Sequence, residues 1–430
     1  MEATIVNTTE RLSASRWMVL TIILLVQFQI QLVTFAPAAV ASPIISNLQL
    51  SRTEFGLIMS SLNITIVICQ VLGSVLVDHS GPKLGLFFGV ALLGVGAAVL
   101  FGVHSLGFLI FGRVLQGIGI GICYPVMGAL IMAWFSKREQ PYINVIFALV
   151  TFSGIGAAML VTAGLFRWFS GSWKHALGSY GFSILATALV WLVIGRNSKQ
   201  VVSAETTSPA GATARNPSSL SKVLTMPVAW TLAVGAFAIS WVYNMYFSFV
   251  PLFLESGRGF SLADANRLAS LLPFSGVAGV IAFGVLATRA TWRKHLLWTS
   301  CAVVILGSVA FFFGEGTMNK AGLLVAGFGL SGFLPVLNTY IMSLPSMTPS
   351  LVAAFVVVVN VAVFIAGFIS PLAVGWLSQS PFGLRNTLAL FSWIELVAIL
   401  MFMRLPTIAS VDVFNVESTS ASFNHRNAPS

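Results

Sequence analysis

Twelve apolar runs, at 17–41, 55–77, 84–103, 106–135, 142–166, 175–195, 226–254, 266–287, 296–313, 321–344, 350–377 and 386–403, leave little room for anything else in this chain. A hydrocarbon core about 30 Å thick is crossed by about 20 residues of α-helix, and every run is close to that length or longer. With 57% of its residues hydrophobic and 8% charged, the chain lies well outside the composition of water-soluble domains. Lipid offers no partner to an unpaired N–H or C=O, so spans built of single runs must be helices that satisfy their own backbone. The expected fold class is an all-α integral membrane protein with twelve transmembrane helices.

The net charge of +10 would fit a polyanionic partner if the basic residues were clustered, but they are divided by side. With the N-terminus in the cytoplasm, 14 of the 22 Lys and Arg residues fall in cytoplasmic segments and 7 on the opposite side, while Arg113 lies within a span. That bias is the positive-inside rule, so the charge reports topology and excludes a nucleic-acid reading. It predicts a multi-pass protein of the plasma membrane, a bacterial inner membrane, with both termini cytoplasmic. The segment FAPAAVAS after the first run has the small residues of a cleavage site, but the apolar run before it is too long for a signal peptide, and it is expected to stay attached. Cys69, Cys123 and Cys301 all lie inside spans at spacings that match no zinc site. No cofactor or metal is expected.

Residues 196–225 interrupt the pattern with Ser, Thr, Ala and Pro and read as a solvated cytoplasmic linker. The expected organisation is a cytoplasmic N-terminus at 1–16, an N-terminal six-helix bundle at 17–195, the linker, a C-terminal six-helix bundle at 226–406 and a disordered cytoplasmic tail at 407–430. A repeat links the halves. GIGIGICYP begins at Gly117 and GFGLSGFLP at Gly327, so two glycines and the proline recur at an offset of 210 residues. The bundles are therefore expected to be pseudo-symmetric, an architecture that puts a binding site between parallel repeats.

Two motifs carry a family resemblance. After the second run comes SVLVDHSGPKLG, and the fourth contains GRVLQGIGIG. The first resembles the G-x-L-A-D-R-x-G-R-K loop of the major facilitator superfamily at Asp78, Gly81 and Lys83; Ser74, His79 and Pro82 depart from it. The second resembles that family's R-x-x-Q-G-x-G at Arg113, Gln116, Gly117 and Gly119. A weaker similarity, in AWTLAVGAFAISWVYNMYFSFVPLFL and AGFISPLAVGWL, points to the cyanate and nitroimidazole porter branch. The resemblance implies alternating access, a gate at Asp78, Gly81 and Lys83, a gating or proton-coupling role for Arg113, and a central cavity surrounded by spans one, four, seven and ten. TFSGIGAAMLVTAG in span five lacks the proline of the family's drug antiporters.

Buried polar residues give the candidate pathway. Gln27 and Gln31 lie one turn apart with Thr34 above them, a stripe expected to face a watered cavity, whereas Gln29 points away and is expected to bond a neighbouring helix. Arg113, Gln116 and Tyr124 share a stripe of span four. An arginine at that depth costs about 2.5–3.5 kcal/mol to insert. It either faces the bundle interior and the solute or bonds carbonyls of span one. Trp241, Tyr243, Asn244 and Ser248 mark span seven, Asn338 and Thr339 follow Pro335 in span ten, and Asn360 lies in span eleven. Glu395 is the deep carboxyl; it either carries a proton or bonds an adjacent helix.

Amides, hydroxyls and a cation without a central acid suit a small organic solute or anion. The expected function is secondary transport of such a solute by a monomer, with protons as a candidate coupling ion; the alternative is proton-coupled export of hydrophobic drugs. An intramembrane enzyme would need paired acids, HExxH, or Ser and His in opposed spans, and the histidines lie at loops, span ends or the tail.

Overall fold

A computed structural model describes residues 2–136, 138–195, 217–344 and 347–407. Those residues contain no strand. Twelve of the helices are long and apolar enough to cross a membrane: α1 (Ser15–Ala39), α2 (Arg52–Gln70), α3 (Gly81–Gly102), α4 (Leu106–Trp134), α5 (Tyr142–Trp168), α6 (Trp173–Ile194), α7 (Pro227–Gly257), α8 (Leu262–Leu286), α9 (Arg293–Phe313), α10 (Thr317–Met342), α11 (Ser350–Leu377) and α12 (Gly383–Met403). Each corresponds to one of the apolar runs, and the first six and last six form two bundles.

Hydroxyl caps set many of the starts. Ser51 and Glu54 form a reciprocal box at α2, with the Glu54 N–H donating to Ser51 Oγ (3.2 Å) and the Ser51 N–H to Glu54 Oε2 (2.7 Å). Ser105, Ser172, Ser261 and Thr348 cap α4, α6, α8 and α11 in the simpler way. One expectation is corrected here. The segment between α2 and α3 was read as a short loop, yet the backbone stays helical from Arg52 to Ala98, broken only at Gly81 (φ 75°, ψ 162°). Glycine tolerates that left-handed φ, and Pro82 follows it, so the chain turns within a single residue. Asp78 lies on this helical stretch, and its side chain falls outside the described residues.

The repeat is visible in the packing. A Cβ on Gly117 would meet Thr65 Cβ at 2.7 Å and the Leu62 carbonyl at 3.0 Å. One on Gly327 would collide with Ser275 and the Leu272 carbonyl. Leu62 and Leu272, like Thr65 and Ser275, are themselves separated by 210 positions. The same close approach thus joins α4 to α2 and α10 to α8, as small residues allow between membrane helices.

Of the expected linker, residues 196–216 lie outside the described residues, and Pro217–Thr225 is a helix with Val223 fully buried. The tail from residue 408 is likewise outside them. All three cysteines are free and buried. The end of the molecule carrying the linker is called the linker end below, and the other the far end.

Candidate functional site

The three glutamines of α1 divide as their helical angles require. Gln29 turns into the N-terminal bundle, where Nε2 donates to Thr187 Oγ1 (2.9 Å) and the Ser183 carbonyl (3.2 Å) of α6. Gln27 turns the other way and donates Nε2 to Thr151 Oγ1 of α5 (2.8 Å), while its Oε1 is buried without a partner. Gln31 and Gln27 both lie beside the Tyr124 hydroxyl, and Tyr124 in turn faces Tyr243 from the other half. Polar groups from α1, α4, α5 and α7 therefore meet at the seam between the bundles. Gln27 is only 2% exposed and Trp241 8%. Tyr124 and Tyr243 are half-buried there.

Arg113 is completely buried. Its Nε donates to the Ile58 carbonyl (3.3 Å), Nη1 to the Val33 carbonyl and Gln116 Oε1 (both 2.9 Å), and Nη2 to the Thr34 carbonyl (3.1 Å). The reason lies in α1. Pro37 has no N–H, so the Val33 carbonyl four residues earlier loses its helical donor, and the guanidinium supplies one. Gln116 completes the network by donating Nε2 to the Gly96 carbonyl of α3 (3.1 Å). Both residues were placed on the solute pathway by their stripe. The structure corrects this by holding them inside the N-terminal bundle, where Arg113 ties α1, α2 and α4 together. Thr34 is also turned back, its hydroxyl donating to the Ile30 carbonyl (2.7 Å).

Contacts between the halves concentrate toward the far end. Arg52 Nη1 donates to the Ser378 carbonyl (3.0 Å), Asn266 Nδ2 to the Ala39 carbonyl (2.8 Å), and Gln379 Nε2 bonds Thr53 Oγ1. Deeper, Asn63 Nδ2 of α2 donates to the Gly367 carbonyl of α11 (3.0 Å). Here again a proline makes the acceptor, since Pro371 cannot bond the carbonyl four residues before it. Gly56 and Gly375 allow the approach: a side chain on Gly56 would strike the Pro371 carbonyl, and one on Gly375 the Arg52 carbonyl. An aromatic plug fills the seam between these bonds and the glutamines. Phe35 meets Phe247 at 5.5 Å and Tyr243 at 6.2 Å, Tyr243 meets Phe247 at 4.6 Å, and Phe152 meets Tyr243 at 6.3 Å, all edge to face.

A family model described as Major Facilitator Superfamily matches residues 21–367. The chain belongs to the major facilitator superfamily. It is 25% identical over 388 residues to the probable sulfoacetate transporter SauU of Cupriavidus necator, covering 85% of this chain and 88% of that one. It is also 24% identical to the cyanate transport protein CynX of Escherichia coli (61% and 65% covered) and 26% identical to the hexuronate transporter of Bacillus subtilis (62% and 64%). Among solved structures it is similar to an inward-facing, unoccupied bacterial homolog of the human lysosomal transporter Spinster. The TM-score is 0.75 at 17% identity, with 90% and 96% of the chains covered. The proton:xylose symporter XylE gives 0.67 at 12% identity, with 92% and 96% covered. The fold is thus that of the superfamily, and the chain is a secondary membrane transporter.

The remaining expected residues of this superfamily member scatter. Asn244 donates Nδ2 to the Ser240 carbonyl (2.8 Å) and lies against Gly367, at the point where Asn63 reaches across. Ser248 is buried farther along α7. The Trp241 indole Nε1 is buried without an acceptor, and its carbonyl accepts from Ser370 Oγ (2.7 Å). Thr339 donates to the Pro335 carbonyl (2.7 Å), Asn360 is half-buried, and Asn338 is exposed on the linker-end half of α10. Lys83 accepts at its carbonyl from Trp191 Nε1 (2.8 Å). Glu395 is fully buried beside Cys301 of the adjacent α9. Thr151, Asn63, Phe35 and Phe152 were missed. Asn63 had a readable signal, because Pro371 announces a carbonyl in need of a donor at Gly367.

Proposed function

We propose that this transporter carries a small organic anion by alternating access, with its site at the seam where Gln27, Gln31, Tyr124 and Tyr243 converge and with Trp241 and Asn244 farther along the pathway. The observation that carries the reading is the buried Gln27 Oε1, left without a donor in a seam whose polar groups are amides and phenols and not acids. The two phenols and the Gln31 amide can donate to a carboxylate or sulfonate, and the unpaired Gln27 Oε1 would accept from a solute hydroxyl. The names of the relatives, for sulfoacetate, hexuronate and galactarate/D-glucarate, support the same chemistry over export of hydrophobic drugs.

The charge bias assigns the linker end to the cytoplasm of a bacterial cell. The far-end bonds and aromatic plug then make the described conformation closed to the outside. Solute enters when α2 parts from α11 and α5 from α8, and leaves toward the linker end when they meet again. Asp78 and Lys83 would close the linker end in the opposite phase. A monomer suffices for this cycle.

Purified protein should be warmed with sulfoacetate, a hexuronate, cyanate and cationic drugs in turn. A ligand present at about 100 times its Kd stabilises the folded state by about 2.7 kcal/mol, a shift readily seen in Tm. The expected outcome is a shift with an organic anion that weakens in Tyr124→Phe, which keeps the ring and removes the hydroxyl donor. Stabilisation by the drugs alone would overturn the reading.

A further inference from the structure

Two arginines at the far end take no part in the seam. Arg258 follows the last turn of α7 and Arg385 lies in the first turn of α12, so both stand at the membrane boundary set by the ends of those spans. They meet over the end of α9. Arg258 Nη2 donates to the Phe311 carbonyl (2.8 Å), and Arg385 donates Nε (3.1 Å) and Nη2 (2.6 Å) to the carbonyl of the next residue, Phe312. We propose that this pair binds the headgroup phosphate of an anionic phospholipid in the far-end leaflet, with one acyl chain lying in a groove between α9 and α12. The inference is independent of the solute.

The unpaired carbonyls at a helix C-terminus attract a cation, which accounts for one arginine but not for two. Asn319 Nδ2 of α10 already bonds the Phe311 carbonyl. The second guanidinium brings a like charge close enough to repel the first, on the side of the membrane where basic residues are depleted. Glu315 is the acid whose field reaches Arg258, yet among the described residues neither arginine makes an ion pair. Arg258 Nε and Nη1 and Arg385 Nη1 bond nothing and are not sealed from outside. Aromatic rings hold both planes: Phe253 and Phe311 face the Arg258 guanidinium at 5.5 and 5.7 Å, and Phe313 faces that of Arg385 at 5.6 Å. Free guanidinium edges fixed side by side suit the oxygens of a phosphate.

The surface below favours a lipid over a soluble anion. Phe313 is 61% exposed, and Val309 and Leu306, one and two turns down α9, are exposed on the same face. A shallow groove runs beside them, walled by Ile305, Val309, Phe312 and Phe313 of α9 and by Ala389 and Trp393 of α12. Its two hydroxyls are engaged elsewhere, since Ser308 and Ser392 both bond the Tyr246 hydroxyl and donate to the Val304 (2.6 Å) and Leu388 (2.8 Å) carbonyls. The groove is left apolar. From Phe313 to Ile305 it descends about 12 Å at 1.5 Å per residue, most of the roughly 15 Å of hydrocarbon in one leaflet. Phe312 belongs to both parts, because its carbonyl receives Arg385 and the residue walls the groove. A lipid seated there joins α7 to α9 and α12, and α7 carries Tyr243 and Phe247 of the aromatic plug.

The test uses the full chain, delipidated in neutral detergent, and reads the rise in Tm with phosphatidylglycerol, with diacylglycerol of the same chains and with inorganic phosphate. Wild type should be stabilised by phosphatidylglycerol and by neither of the others at equal concentration. Arg258→Gln combined with Arg385→Gln should weaken the apparent affinity for phosphatidylglycerol about tenfold or more, and Val309→Trp, which fills the groove and keeps both arginines, should weaken it by a smaller factor. Should the double variant fail to fold, Arg258→Gln alone carries the test, because Asn319 still serves the Phe311 carbonyl. A purely capping role would lower the lipid-free Tm and leave the rise with phosphatidylglycerol unchanged, which would overturn the proposal. Inorganic phosphate equal to phosphatidylglycerol would reassign the arginines to a soluble anion, and diacylglycerol equal to it would remove the headgroup from the site; either result overturns it.

Discussion

The two halves share a glycine step and differ in the side chains set around it. In α4, Gly117 rests on Leu62 and Thr65, and in α10, Gly327 rests on Leu272 and Ser275. One turn earlier the correspondence ends, with Arg113 in the first half and Leu323 at the matching position of the second. Arg113 is buried with its donors engaged on three helices. The buried carboxyl of the second half, Glu395, stands on α12 beside the Cys301 thiol of α9. Backbone proximity was duplicated and polar chemistry was not. The first half can thus serve as the fixed frame.

The largest expected effect tests that frame. Arg113→Leu strips the donors from the Val33 carbonyl and Gln116 Oε1, at about 1–3 kcal/mol for each buried group left unpaired. Its Tm and yield should fall sharply, while the molecules that do fold still bind solute. Normal stability with lost uptake would mean that Arg113 acts on the solute, and the contrast between halves would collapse. Next is Gly56→Val, which sets a side chain against the Pro371 carbonyl. Overpacking costs about 1–3 kcal/mol, enough to favour the state open to the far end by about 5- to 150-fold. A cysteine at Gln27 should then become labelled from outside, and its continued protection would refute the closure assigned to α2 and α11.

Asn63→Leu removes one cross-half hydrogen bond worth about 1 kcal/mol. It should shift the same labelling in the same direction, by less than Gly56→Val does. The smallest effect belongs to Gln29→Leu, which loses bonds to α6 within the rigid half. Polar contacts between membrane helices average about 0.6 kcal/mol, so Tm should drop slightly and labelling should not move. A change in labelling would show that the N-terminal bundle flexes during the cycle.

The spans and the opposed faces of Gln27 and Gln29 were readable in the sequence because hydropathy and helical angle are properties of one segment. Pairings between segments were not. The sequence leaves Arg113 open between the solute and the carbonyls of span one, because a stripe on α4 cannot reveal that Pro37, on another helix, has left a carbonyl facing it. The aromatic plug escaped notice for a related reason: Phe35 and Phe152 look like any lipid-facing phenylalanine until the halves are brought together. In α12 the N–H groups of Ile394, Leu396 and Val397 bond carbonyls three residues back, a tightening that leaves no mark in Ser392–Val397, where helix breakers are absent. Gly81 was legible as a turn, but the helix running up to it was not, since polar residues there resemble a loop.

The burial of Cys69, Cys123 and Cys301 bears on how the rocking of this molecule can be watched. Native thiols shielded by packing compete weakly for maleimides and nitroxides. A pair of engineered cysteines at the exposed ends of α2 and α11 would therefore carry spin labels almost alone, and the spread of distances between them would count the open and closed populations directly.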